Sequence, residues 1–376
     1  RHQAPVASFV TFIDVGSVNE PEGHTGIAHI LEHMAFKGTK IVGTNNWQKE
    51  KDLLQKVEKA YNKWLEARYE SGSQDEAVQK LRARFEALRD KAKQYVLPNE
   101  YAKIMEQNGA TNLNAATSKD YTIYICSLPA NRIKLWFSLE SDRLMNPVLR
   151  EFYTEKEVIL EERRMRVESD PAGSLFEDLL AISYKTHPHR HPTIGWKSDI
   201  LATTRADLRA FYAKHYIPEN ITIAIAGDVY PKEIKSLAQT YFAGFEKRES
   251  KPQVVTKEPV QKGERNFEHT SPNQPLYVEA YHTVDQKSPH APALQILSDI
   301  MSRGRISRLY AELVKEKKLA LNIYDFNGFP GEKYPALFVI FAVPNKGVNL
   351  NTLAQAIHEQ IENIQNEKVT QDELQR

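Results

Sequence analysis

Hydrophobic and polar positions along the chain change period several times, and each change marks an element. Pro5 to Val15 alternates loosely through Val6, Ser8, Val10 and Phe12 and stops at Gly16, which predicts a strand. Thr25 to Phe36 instead carries Ile27, Ile30, Leu31 and Met34 at three-and-four spacing before Gly38, the period of a helix. Trp47 to Val96 is strongly charged, with Leu53, Leu54, Val57, Tyr61, Trp64 and Leu65 forming one apolar stripe and Val78, Leu81, Phe85, Leu88, Ala92 and Tyr95 another. Two such stripes around Ser71-Gly72-Ser73 predict a coiled-coil hairpin, with Ser73 and Glu76 as a capping box that opens the second arm. At about 1.5 Å per residue the arms reach about 30 Å. Packing is the simplest role for this hairpin; substrate gating or partner docking is the alternative.

Tyr121, Ile123 and Ile125 alternate with Thr122, Tyr124 and Cys126 as far as Pro129, a half-buried strand. Helices are expected at Arg132 to Leu144, Glu151 to Glu168, Thr204 to Tyr216 and Pro231 to Phe242, with an apolar strand at Ile221 to Ala226 closed by Gly227-Asp228. Lys247 to Glu264 is rich in Lys, Glu, Pro and Gln and poor in large apolar residues, so it reads as a linker. A strand at Leu276 to His282, helices at Ala291 to Met301 and Ser307 to Glu316, and strands at Ala320 to Phe326 and Ala336 to Ala342 then repeat the first domain in outline. The expected organisation is α+β: a first domain over residues 1–246 with the hairpin inserted at 47–98, a linker at 247–264, and a second domain over 265–376. Laying His29-Ile-Leu-Glu-His-Met34 over Gln295-Ile-Leu-Ser-Asp-Ile300 puts the same Ile-Leu pair in the first helix of each domain. The second domain is thus read as a duplicate whose Gln295, Ser298 and Asp299 form no usual zinc set.

Composition narrows the function classes. With 376 residues and 41% hydrophobic content, the chain is too apolar for disorder and too long for one ordinary core. Fifty basic residues against 49 acidic ones leave a formal charge of +1, so no global field points to nucleic acid or an anionic membrane. The single cysteine, Cys126, excludes an intramolecular disulfide and any cysteine-rich zinc module. No run approaches the roughly 18 apolar residues a membrane span needs, and no charged-then-apolar leader opens the chain. The sequence starts at Arg1 without a methionine and stops in the polar segment Thr370 to Arg376, so pieces missing at either end are expected, including the end of the second domain.

His29 and His33 are four residues apart, which on a helix places their imidazoles on one face, one turn from each other. That is the spacing two ligands of one tetrahedral ion require. Glu32 is close enough to serve a water at the metal without ligating it, and the order His-x-x-Glu-His inverts the commoner zinc-peptidase helix. A third ligand is sought among Glu151, Glu155, Glu157, Glu161, Glu162 and Glu168. Glu155 and Glu162 are seven apart and share a face, as expected if one ligates and the other supports the site from behind. Spacing alone does not separate Glu161 from Glu162. His187, His189 and His191, alternating in the proline-bounded Thr186 to Pro192, are the competing metal candidate.

Four segments, in order, resemble the pitrilysin/insulinase family of zinc metallopeptidases, over nearly all of the first domain: Gly26-Ile-Ala-His-Ile-Leu-Glu-His-Met-Ala-Phe-Lys-Gly-Thr39, Asn114-Ala-Ala-Thr-Ser-Lys-Asp120, Glu155-Lys-Glu-Val-Ile-Leu-Glu-Glu162 and Ile221 to Asp228. The resemblance implies two tandem homologous α/β-sandwich domains with mixed or antiparallel sheets flanked by helices. It implies one zinc ion per chain on His29, His33 and Glu162, Glu32 as the catalytic proton carrier, and Glu155 as the supporting carboxylate. It places Asn114 and Ala115 at a sheet edge where a peptide adds as an extra strand. It also implies a second half or partner subunit, in a hetero- or homodimer, that donates an Arg and a Tyr; Arg305, Arg308 and Tyr310 of this chain are read instead as packing residues. The stretch between His33 and Glu162 is longer than is typical of the family, and the hairpin is large enough to hold the excess. Exported relatives favour the cell envelope over the cytoplasm. The expected activity is zinc-dependent endopeptidase action on peptides or unfolded segments held between two halves. The rivals are a non-catalytic, chaperone-like subunit and a hydrolase of non-peptide amides.

Overall fold

The computed structural model describes residues 2–247, 253–270 and 274–375. By packing, the chain divides into two compact units, Arg1–Met165 with His191–Lys257, and Arg166–Arg190 with Glu258–Arg376. In chain order the first unit is built from β1 (Val6–Ile13), α1 (Ile27–Met34), α2 (Trp47–Ser71), α3 (Glu76–Lys93), α4 (Glu100–Gln107), β2 (Thr111–Thr117), β3 (Thr122–Pro129), α5 (Ile133–Met145) and α6 (Phe152–Arg163). The chain then gives α7 (Pro171–Ser183) to the second unit and returns with α8 (Lys197–Ala202), α9 (Arg205–His215), β4 (Ile221–Gly227) and α10 (Pro231–Tyr241).

Period-two alternation sets the first sheet. Ala7, Phe9, Thr11 and Ile13 of β1 are buried, and Thr122, Tyr124, Cys126 and Leu128 of β3 match them on the same face. All pairings are antiparallel, and the order is β2-β3-β1-β4, so β2 is an edge strand. Helix α1 packs against β2, α6 and α9, which joins the motif helix to the sheet edge on one side and to the carboxylate-rich helix on the other. The four chain segments that resemble the zinc peptidases therefore meet in one unit.

The hairpin forms as the two apolar stripes predict, α2 against α3, with Leu54, Val57, Tyr61, Val78 and Phe85 buried. Its second arm is capped differently from the sequence expectation. Asp75, not Ser73, is the N-cap, and its carboxylate accepts the amides of Ala77 and Val78. The carboxylate sits one residue before the helix and reaches both free N–H groups, whereas Ser73 lies a further two residues away. The base of the hairpin is tied down by a buried ion pair: Arg150 Nε donates to Glu50 Oε1 at 2.8 Å, and the same guanidinium donates to the carbonyls of Lys37, Thr39 and Val42.

The second unit continues with β5 (Tyr277–His282), α11 (Ala291–Ser302), β6 (Ala320–Phe329), β7 (Leu337–Pro344), α12 (Leu350–Asn366) and α13 (Gln371–Gln375). Its three strands are antiparallel in the order β5-β7-β6. The segment 166–190, which the sequence reading keeps inside residues 1–246, packs here because Leu179, Leu180 and Tyr184 share a core with Leu337 and Val339. Residues 248–252 of the expected linker lie outside the described residues; 253–264 carry no helix or strand. Arg308 is held by Glu373 at 2.7 Å within this unit. Ser298 donates to Asp325, and among the described residues no metal-capable cluster forms around Gln295, Ser298 and Asp299.

Candidate metal centre

Helix α1 begins without a capping side chain, because its N-cap is Gly26 in the left-handed region at φ 87°. A Cβ there would collide with the carbonyl oxygen of Ile194, so only glycine lets the 192–196 loop run against the helix start. The cap comes from elsewhere in the chain. Buried Glu20 accepts the Gly26 amide at 2.9 Å and the Ala28 amide at 2.8 Å, capping the motif helix, and burial pushes its carboxyl up to about 8 against the pull of those two amides.

One turn along, His29 and His33 present their rings at 4.7 Å between centroids and 77° between planes. Glu162 of α6 reaches both: its Oε2 lies 3.8 Å from His29 Nε2 and 3.4 Å from His33 Nε2. One donor atom from each of the three residues falls within 4.8 Å of the others, and this is the one such group among the described residues. Two imidazole nitrogens and one carboxylate oxygen, from two helices, fit the donor set of a zinc site that keeps a coordination position open. Glu161, which spacing does not separate from Glu162, points outward and grips Arg164.

The surrounding groups fix orientation. His33 Nδ1 is 3.0 Å from Glu155 Oε1, and the other oxygen of Glu155 meets Lys37 Nζ at 2.6 Å. In the neutral ring this arrangement keeps the proton on Nδ1 and makes Nε2 the nitrogen that can ligate. Burial alone would depress His33, but its hydrogen bonds to Glu155 and Glu162 outweigh it and raise the imidazole to about 9. Burial likewise works to raise Glu155, yet His33 and Lys37 hold its carboxyl below the usual carboxylate range. Glu32 is buried, and its Oε2 accepts a 2.6 Å hydrogen bond from Thr117 Oγ1 on β2. Asn114 and Ala115 sit in the same edge strand, paired to Ile125 and Tyr124 of β3.

Among the described residues the competing histidines form no metal-capable group. His187 and His189 pack edge to face in the second unit with rings 4.4 Å apart, and the His189 amide donates to His187 Nδ1 at 3.2 Å. His191 belongs to the first unit, with Nδ1 3.8 Å from Glu20. Sequence reasoning missed Glu20, Lys37 and Thr117. Lys37 lies one turn beyond His33, and Thr117 lies two residues past Ala115 on the same strand face, so helix and strand periods held a signal for both. Glu20 lies in an irregular loop and left none.

Residues 1–86 and 89–196 match the family model described as Insulinase (Peptidase family M16), and residues 202–376 match the peptidase M16 inactive domain. The chain is 27% identical over 368 residues to the zinc protease PqqE of Helicobacter pylori, covering 96% of this chain and 70% of that one. It is 28% identical over 222 residues to an uncharacterized zinc protease of Mycobacterium leprae, covering 56% of this chain and 48% of the relative, about half its length. Its fold matches the crystal structure of a protease from Helicobacter pylori with a TM-score of 0.80 at 26% identity, over 100% of this chain and 78% of that one. The first half of the periplasmic protease PqqL from Escherichia coli shares the fold, with a TM-score of 0.64 at 18% identity over 100% of this chain and 70% of that one. This chain belongs to the insulinase family of peptidases, peptidase family M16.

Proposed function

We propose that the chain is the catalytic half of a zinc-dependent endopeptidase that hydrolyses peptides or unfolded protein segments. The convergence of His29, His33 and Glu162 within 4.8 Å, beside a buried Glu32 that is not part of that group, carries this reading. A bound zinc ion supplies Lewis acidity, acidifying water and polarising the scissile carbonyl. Glu32 takes the proton of the attacking water and delivers it to the leaving amine, with Thr117 holding its carboxylate toward the sheet edge. Glu155 keeps the His33 ring in place, and Lys37 keeps Glu155 ionised.

Strand β2 lies at the edge of its sheet and packs against α1. A peptide adding there as a further strand, along Asn114 and Ala115, is read through its main chain and runs beside the motif helix. A second half or partner subunit completes the substrate chamber and contributes an Arg and a Tyr to steady the tetrahedral intermediate. Among the described residues no helix is long and apolar enough to cross a membrane.

Metal analysis and peptide cleavage, measured on the wild type and Glu32→Gln with the partner half added, test the reading. The expected result is about one zinc per chain in both proteins and cleavage in the wild type alone. A wild type that binds no zinc would instead be a non-catalytic subunit. Full zinc occupancy without peptide turnover points to a non-peptide amide substrate.

A further inference from the structure

The hairpin and the outer face of α6 enclose a space that the metal centre does not use. Side chains of α2, α3, α6 and α8 surround an open-mouthed cavity of about 550 Å³, within the range of about 300–1,000 Å³ typical of small-molecule sites. Four rings build one wall. Tyr61 stacks on Tyr153 at 4.0 Å, Phe85 lies 5.2 Å from each, and Trp64 lies parallel to Phe85 at 6.1 Å.

Three cations line the same space, Arg82 paired with Glu86 and two others without an acidic partner. Lys156, only 4% exposed, donates from Nζ to Tyr61 Oη at 2.9 Å and to the carbonyls of Leu201 at 2.9 Å and Thr203 at 2.7 Å. All three acceptors are neutral, so they satisfy the ammonium's hydrogens without balancing its charge. Arg68 is half-buried over the Trp64 ring, 5.6 Å from its centroid. Among the described residues neither Lys156 nor Arg68 has a carboxylate at ion-pairing distance. The acidic groups of the lining are already engaged, Glu86 by Arg82 at 2.9 Å and Glu157 by Arg89 at 3.0 Å. Burial pushes the Lys156 ammonium down to about 7, against a pull from Asp207 and with a further push from Arg68. Positive charge held among rings without a counter-charge is costly. A ligand that brings the missing negative charge recovers that cost, while the rings take up an apolar body.

We propose that this cavity binds a small amphipathic organic anion, a one- or two-ring aromatic body carrying a single carboxylate or sulfonate, with its rings against Tyr61, Trp64 and Phe85 and its charge at Arg68. Helix α6 turns Tyr153, Lys156 and Leu160 toward this cavity and Glu155 and Glu162 toward the histidines, so the two sites occupy different faces of one helix. The proposal requires neither zinc nor peptidase activity.

The probe is naphthalene-2-sulfonate, a two-ring body with one sulfonate, titrated by calorimetry into the full chain, with folding followed by circular dichroism. The wild type is expected to bind one probe per chain saturably. Arg68→Gln weakens binding at least tenfold with the fold intact, and Arg68→Lys, which restores the charge, recovers most of the loss. Trp64→Ala, which opens the wall and removes the ring beneath Arg68, also weakens binding. Equal affinity in the wild type and Arg68→Gln, or no saturable binding in the wild type, overturns the proposal.

Discussion

His33 faces two carboxylates from one helix: its Nδ1 lies 3.0 Å from Glu155 Oε1 and its Nε2 lies 3.4 Å from Glu162 Oε2. The seven-residue separation of the two glutamates sets them two turns apart on α6, and the imidazole bridges them. Removing the outer partner therefore leaves the ligands in place but frees the ring to rotate. Glu155→Ala is expected to weaken zinc binding by about 10–100-fold while the chain stays folded. Competition with a chelator of known affinity measures this directly.

The same pair of hydrogen bonds makes metal binding proton-linked. With His33 at about 9 in the metal-free chain, its ring is protonated at neutral pH, and a metal that takes Nε2 must displace a proton. Apparent zinc affinity is thus expected to fall as pH drops below about 9, by up to about tenfold per pH unit. Calorimetry at pH 7.5 in two buffers of different ionisation enthalpy should report about one proton released per zinc. Identical heats in both buffers would sink this.

Thr117 donates a hydrogen bond to Glu32, which is not one of the three ligands. Thr117→Val removes the hydroxyl with little change of shape, so zinc content should be unchanged. Turnover of a peptide substrate should drop about tenfold, in kcat more than in KM, because a proton carrier loses its anchor. Loss of zinc along with activity would show that Thr117 acts on the fold of the site and not on Glu32.

The Glu50–Arg150 pair is buried on both sides, with exposures of 0% and 1%. Glu50→Ala leaves the guanidinium without a counter-charge, at an expected cost of about 3–5 kcal/mol in unfolding free energy. Replacing both residues, Glu50→Ala with Arg150→Met, should recover part of that loss. Urea unfolding followed by circular dichroism checks both variants.

Much of the site was legible because its signals are local. The four-residue spacing of His29 and His33 and the apolar period around them suffice for a helix with both imidazoles on one face. The hairpin was equally readable, since each arm carries its own apolar stripe. Local signals also misled, as at Ser73, where a capping-box pattern yields to Asp75 two residues on.

What the sequence by itself determined is the set of elements and the chemistry each carries: a His-x-x-Glu-His helix, a carboxylate-rich helix, an alternating strand and a charged hairpin. Only the tertiary structure decided which of those chemistries meet. Glu161 and Glu162 are neighbours in sequence with identical side chains, and the rotation of α6 against α1 turns Glu162 to the histidines and leaves Glu161 on Arg164. It also puts β2 at the edge of its sheet, brings Glu20 to the start of α1, and sends residues 166–190 to the second unit. The physical reason is common to all of these: helix and strand periods are set by neighbours a few residues apart, whereas partners across the fold are chosen by burial and charge pairing, which no short window of sequence contains.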